Sequence, residues 1–150
     1  MILKRTIQEK IKIKDLFSYL DIEDKEHASY NPLYDLKVKT PYGYKQIVTL
    51  FRTEKQKSVT SYFGNNKTLK TSAQHRLKVN GEWKYVNDIT KDDIIETELG
   101  TTYLKYQNQH SKEEILYDIS VQDVHCYYSN TILSHNSWSL VNVGATAMRL

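Results

Sequence analysis

The sequence predicts an all-β domain of short antiparallel strands with little helix, and three observations carry that reading. Apolar and polar residues alternate with the period of a half-buried strand in one short segment after another. Turn signals such as Gly64-Asn65-Asn66 and Asn80-Gly81 separate those segments. Twelve tyrosines stand against five glycines and two prolines, a balance that suits pleated, half-buried surfaces. A chain of 150 residues holds one domain with its own core, plus appendages, and is short for two.

From the N-terminus, Lys10-Ile11-Lys12-Ile13-Lys14 alternates strictly, as a strand does. Leu16, Phe17 and Leu20 are then spaced for a turn or two of helix, and the polar stretch from Asp21 to Asn31 reads as a loop. Asp35 to Thr40 and Gln46 to Phe51 flank Pro41-Tyr42-Gly43-Tyr44 and predict a hairpin. Ser58 to Phe63, Thr68 to Ser72, Arg76 to Val79 and Glu82 to Val86 continue the series. Asn80-Gly81 between the last two is the dipeptide of a type I′ turn, whose central residues both need positive φ. A polar stretch from Gln107 to Glu114 precedes a last pair of strands, Ile115 to Val121 and Cys126 to Leu133. From Ser137 the composition changes to an Ala-containing tail, so residues 1–136 are expected to form the domain and 137–150 an appended segment.

Composition narrows the function classes. With 39% hydrophobic and 26% charged residues there is no apolar run that spans a bilayer, and the basic N-terminus lacks the apolar core of a secretory signal. One cysteine, Cys126, excludes an internal disulfide framework and fits a reducing cytoplasm. A net charge of +3 is too small to argue for nucleic acid by itself. His125, Cys126 and His135 offer at most three metal ligands, without the paired spacing of a structural zinc site, and no cofactor motif is present.

The segment from Leu116 to Ser137 carries the chemistry. It sets Tyr117-Asp118 on a strand, His125 seven residues after Asp118, a second apolar strand, and then His135-Asn136-Ser137. Upstream, Leu69-Lys70-Thr71-Ser72-Ala73-Gln74-His75-Arg76-Leu77 places Ser72 three residues before a histidine at a strand end. Together these resemble the C-terminal motifs and the Thr-x-x-His block of inteins, over roughly Ile11 to Ser137. The resemblance implies the horseshoe of the Hint fold and autocatalytic, single-turnover protein splicing without a cofactor. Asn136 would attack its own main-chain carbonyl to form a succinimide. His135 would polarise the scissile bond and His125 would activate the amide, acid–base help of the kind that supplies roughly 10²–10⁴-fold. Ser137 would accept the acyl group as the second nucleophile, with Asp118 orienting it and Asp123 the weaker substitute. His75, helped by Ser72 in the usual threonine position, would strain the upstream splice junction. These groups are expected to converge although they lie far apart in the chain.

One departure defines a subclass. An intein opens with Cys or Ser on a short strand containing a Gly-Asp-Thr-like turn; Met1-Ile2-Leu3-Lys4-Arg5 has neither, although the later Ile-x-x-Leu stretch is present as Ile13-Lys14-Asp15-Leu16. The expected partner is a separate N-terminal fragment carrying Cys or Ser at its junction, on the order of 15–25 residues, long enough at about 3.3–3.6 Å per residue to cross a domain. Five basic side chains against two acidic ones in residues 1–16 suit an acidic fragment. The alternative is a degenerate intein capable only of C-terminal cleavage. Ser137-Trp138-Ser139-Leu140 onward resembles the segment that follows Gly-Lys in the P-loop of a RecA-like helicase, which would make such an ATPase the host. A reading of another class is a basic β-domain that binds nucleic acid through interleaved tyrosines and lysines. The His135-Asn136-Ser137 junction separates the two, because a binding module has no use for it. A homing-endonuclease domain has no room in Gln107 to Glu114.

Overall fold

Residues 11–19, 27–29 and 36–136 are described by the structure, a computed structural model. A 3-10 turn at Ile13–Asp15 runs into one helical turn, α1 (Leu16–Tyr19). Among the described residues thirteen strands follow, the first seven being β1 (His27–Ser29), β2 (Lys37–Thr40), β3 (Gly43–Arg52), β4 (Ser58–Phe63), β5 (Thr68–Ser72), β6 (Arg76–Val79) and β7 (Glu82–Tyr85). After a 3-10 turn at Val86–Asp88 come β8 (Ile95–Thr97), β9 (Gly100–Thr102), β10 (Leu104–Gln109), β11 (Tyr117–Val121), β12 (Cys126–Ser129) and β13 (Ile132–His135). No helix among the described residues is long and apolar enough to cross a membrane.

Every strand pairing among the described residues is antiparallel, and these pairings form three sheets. The first has the order β1-β3-β11 with β2 also on β3; the second is β10-β4-β5; the third is β12-β13-β6-β8-β9 with β7 on β6. Two apolar cores hold them. Val59, Phe63, Leu77, Val79, Ile95 and Ile132 join the second and third sheets, whereas Leu16, Ile47, Leu50, Ile119, Val121 and Tyr127 close the first. Each such side chain contributes about 1.5–3 kcal/mol on burial.

The turn chemistry works locally. Asn80 and Gly81 take φ of 52° and 80°, the left-handed pair that a type I′ turn requires. Asn80 also ties its hairpin to the next loop by donating to Asp93 Oδ1 and accepting from the Ile94 amide, both at 2.8 Å. At the β2–β3 turn Gly43 adopts φ 94°, and the Thr40 hydroxyl donates to its carbonyl at 2.7 Å.

Four local expectations change. The alternation from Lys10 to Lys14 does not build a strand within the described residues: Ile11 and Ile13 are half-buried and Lys12 and Lys14 exposed, but the backbone turns into a 3-10 helix whose three-residue period stacks Ile13 near Leu16. His27–Ser29, expected in a loop, pairs with Phe51, Leu50 and Thr49. Gln107 to Gln109, expected to be irregular, lies in β10 on the edge of the second sheet, opposite Ser61, Thr60 and Val59 of β4. In the same polar stretch His110 is half-buried, with Nε2 2.7 Å from the Thr60 hydroxyl. Cys126 to Leu133 is a hairpin rather than one strand, turning at Asn130 and Thr131 with φ of 46° and 73°. The domain boundary at Ser137 falls outside the described residues.

Candidate functional site

The candidate residues are placed by two ladders. Within the β12–β13 hairpin Cys126 faces His135, and one step further the Asn136 amide donates to the His125 carbonyl at 3.1 Å. On its other edge β13 meets β6, with Ser134 opposite Leu77. Carrying that antiparallel register onward sets Arg76 beside His135 and His75 beside Asn136. Asn136 therefore sits between two histidines, His75 just ahead of β6 and His125 just ahead of β12. The β5–β6 turn that delivers His75 is braced by three backbone bonds: His75 N–H to Ser72 O at 3.2 Å, Val86 N–H to His75 O at 2.7 Å, and Asn87 N–H to Ala73 O at 3.0 Å.

His135 is 8% exposed, and its Nδ1 lies 2.5 Å from the main-chain carbonyl oxygen of Asn136. Two lone pairs do not approach so closely, so a proton lies between them: Nδ1–H donates to the carbonyl. The Trp83 ring meets His135 edge-on at 4.8 Å and 84°, and the His125 ring lies 6.3 Å away, nearly parallel at 18°. Burial lowers the His135 pKa, the Asn136 carbonyl opposes that shift, Arg76 and His125 add to it, and Asp118 opposes it. His75 is lowered as well, by burial first, with Asp118 opposing and Arg76 reinforcing. Both rings are thus held toward the neutral imidazole, the form able to take up or pass on a proton at neutral pH.

Asp118, buried in β11, acts on both rings electrostatically. Its Oδ1 accepts from its neighbour's amide, Ile119 N–H, at 2.7 Å and from the Tyr127 hydroxyl at 2.6 Å. Burial pushes the Tyr127 hydroxyl well above its ordinary pKa, with the Asp118 charge adding to the effect, so Tyr127 stays protonated and remains a donor. Burial also raises the Cys126 thiol, which keeps it from the reactive thiolate form.

Asn136 is the unusual group. It is 2% exposed, yet neither Nδ2 nor Oδ1 has a hydrogen-bond partner among the described residues. Leaving a buried polar group unsatisfied costs roughly 1–3 kcal/mol. The same arrangement leaves Nδ2 free to reach the carbonyl carbon of its own residue, whose oxygen already receives the His135 proton. Ring closure at that carbon is the chemistry this geometry can perform.

Of the residues singled out in the sequence, the structure gathers His75, Asp118, His125, His135 and Asn136. Ser72 contributes its carbonyl, which accepts from the His75 amide and from the Thr71 hydroxyl at 2.9 Å, so the contact it makes with the site is through the main chain. Ser137 lies outside the described residues. Arg76, Trp83 and Tyr127 join the cluster without having been singled out. Their only sequence signal is adjacency: Arg76 follows His75, and Tyr127 stands two residues after His125.

No protein-family model matches the sequence and no curated protein resembles it closely enough to be matched. Solved structures do. The VidaL intein is 21% identical, with 85% of this chain and 82% of that one aligned at a TM-score of 0.70. A DnaB intein from Synechocystis sp. is 17% identical over 86% of this chain and 88% of that one, at 0.64. A consensus engineered intein with an atypical split site is 24% identical over 72% and 86%, at 0.61. At these identities the likeness establishes architecture, and the architecture is the all-β Hint fold of inteins.

Proposed function

We propose that this chain is a protein-splicing element that works in trans, the larger fragment of a split intein. The observation that carries the reading is the buried, unpartnered Asn136 amide next to a carbonyl that His135 holds at 2.5 Å. An N-terminal fragment bearing Cys or Ser would supply the first nucleophile. Ser137 would take over the acyl group as an ester. Nδ2 of Asn136 then adds to the Asn136 carbonyl carbon, the bond to the Ser137 nitrogen breaks, and that nitrogen leaves with a proton. The succinimide stays on the intein, and an acyl shift from oxygen to the freed nitrogen joins the flanking segments by a peptide bond. His135 stabilises the oxygen that becomes negative, a donor role worth about 10²–10³-fold. His125 would take the proton from Nδ2, Asp118 would orient Ser137, and His75 would serve the upstream step. Residues 137–150 would be host sequence, and their resemblance to the segment after a P-loop Gly-Lys favours a RecA-like ATPase as the host.

Action in trans is supported by one structure of this fold that carries an atypical split site. The test mixes the purified chain with N-terminal intein fragments that carry Cys or Ser at the junction, followed by mass spectrometry. Ligated product is expected from the natural sequence, and a branched ester that cannot resolve from Asn136→Ala. Normal ligation by Asn136→Ala would rule the mechanism out.

A further inference from the structure

Strand β12 belongs to the third sheet, yet its Tyr127 lies in the apolar core of the first, together with Leu16, Ile47, Leu50, Ile119 and Val121. Alternation along β12 sends Tyr127 to the face opposite Cys126, whose partner in the hairpin is His135. The residue is 2% exposed, and a buried hydroxyl without a partner destabilises the fold. Phenylalanine would fill the same apolar volume, so the hydroxyl is explained by what it bonds. It donates to Asp118 Oδ1 at 2.6 Å, the length of a charge-assisted bond from O–H to a carboxylate.

The same oxygen accepts from the Ile119 amide at 2.7 Å. That donor is the next residue on β11 and moves with Asp118. Tyr127 does not: it stands on the hairpin that carries Asn136 and leads to Ser137, so its bond ties the carboxylate to the other sheet of the site. His75, ahead of β6, and His135, on β13, lie within the field of the same carboxylate. Burial holds both toward neutral imidazole, so neither supplies a fixed cation.

We propose that Tyr127 is a positioning residue for acyl transfer to Ser137: its hydroxyl pins one oxygen of Asp118 against the hairpin that ends at the splice junction, so that the second oxygen meets the Ser137 hydroxyl. This rests on the splicing reading above. In the transfer the Ser137 oxygen bonds to the acyl carbon as the bond from that carbon to the fragment's junction sulfur or oxygen breaks. The hydroxyl proton is taken up by Asp118 and passes to the departing atom. Burial keeps Tyr127 protonated throughout, so it directs the base without competing for the proton. A carboxylate free to turn about its side-chain bonds would meet the nucleophile less often in a reactive geometry.

Tyr127→Phe keeps the ring in the core and removes only the hydroxyl. Two reactions are followed by intact mass with and without this substitution. One is branched-ester formation by Asn136→Ala chains mixed with an N-terminal intein fragment bearing Cys at its junction. The other is release of residues 137–150 from chains that retain Asn136, mixed with the same fragment bearing Ala there. In parallel, the Tyr127 hydroxyl proton is observed by NMR in Asn136→Ala chains, with Asp118 intact and with Asp118→Asn, and the spectra report folding. Tyr127→Phe should form ester roughly ten- to a hundredfold more slowly, the range that a misplaced catalytic group costs, with release slowed far less. The hydroxyl proton should exchange slowly with water and move upfield in Asp118→Asn, as a charged acceptor becomes a neutral one. Ester formation at the natural rate overturns the proposal. So does equal slowing of both reactions, which marks a packing defect, and so does a hydroxyl signal that Asp118→Asn leaves unmoved. If the natural side chains give neither ester nor release while the hydroxyl signal moves as stated, the splicing reading fails and the tie between Tyr127 and Asp118 stands.

Discussion

At the scale of single residues, the candidate site concentrates groups that favour one protonation state when folded. His75 and His135 both have lowered pKa values, chiefly through burial. In the unfolded chain they take up protons near the ordinary value of 6.5, while the folded chain resists doing so. Their contribution to stability is therefore complete above about pH 6.5 and declines as pH falls below it. Asp93 behaves differently: Lys84 first, then the Thr90 amide and Asn80, hold its carboxyl at about 2, so its contribution persists until far lower pH. Urea unfolding should thus show a lower midpoint at pH 5.5 than at pH 7.5, well before Asp93 titrates, and equal midpoints would contradict the burial of the histidines. The spacing of Asp118, His125, His135 and Asn136 made those residues legible in the sequence. Arg76 and Tyr127 were not, because what recruits them is a tertiary neighbour, His135 across the β6–β13 ladder for one and Asp118, in another sheet, for the other.

At the scale of elements, legibility followed turn chemistry. Asn80-Gly81 announced its hairpin because few dipeptides accept two positive φ angles, and β4 to β7 fall close to where alternation put them. Strand β10 was missed because Gln107 to Gln109 lacks an apolar face. It is an edge strand whose polar side chains find partners the sequence does not reveal: Gln107 Nε2 donates to the Val86 carbonyl at 2.9 Å and to the Ser61 hydroxyl at 3.2 Å. His27–Ser29 was missed for the reverse reason, since a three-residue strand is defined by the long β3 beside it and not by its own pattern. The β3–β11 pair has a further peculiarity. Thr49 and Ser120 face each other across it, 1% and 2% exposed, and neither hydroxyl has a hydrogen-bond partner among the described residues. Replacing two orphaned polar groups by apolar ones of similar shape removes a desolvation cost. Thr49→Val with Ser120→Ala should leave stability unchanged or raise it by up to about 2 kcal/mol in denaturant unfolding. A clear loss would show that the hydroxyls are satisfied in solution.

At the scale of the whole molecule, the site exists because three distant stretches are tied into shared ladders. β13 carries Asn136 between β12 and β6, while β11, held in another sheet, contributes Asp118. Neither core alone positions the cluster: Leu77 belongs to the one that anchors β6, Ile119 and Tyr127 to the one that anchors β11. Reading the sequence as an all-β intein-like domain captured this architecture, because the motifs and the strand pattern point to the same fold. The most direct measurement is the intact mass of the N-terminal product when the chain breaks after Asn136, taken early in a time course. Cyclisation predicts a product lighter by one water than the free acid, converting to the acid only later, together with a released segment that begins at Ser137. A product that carries the free-acid mass from the first time point would mean hydrolysis, and would contradict the role assigned to Asn136.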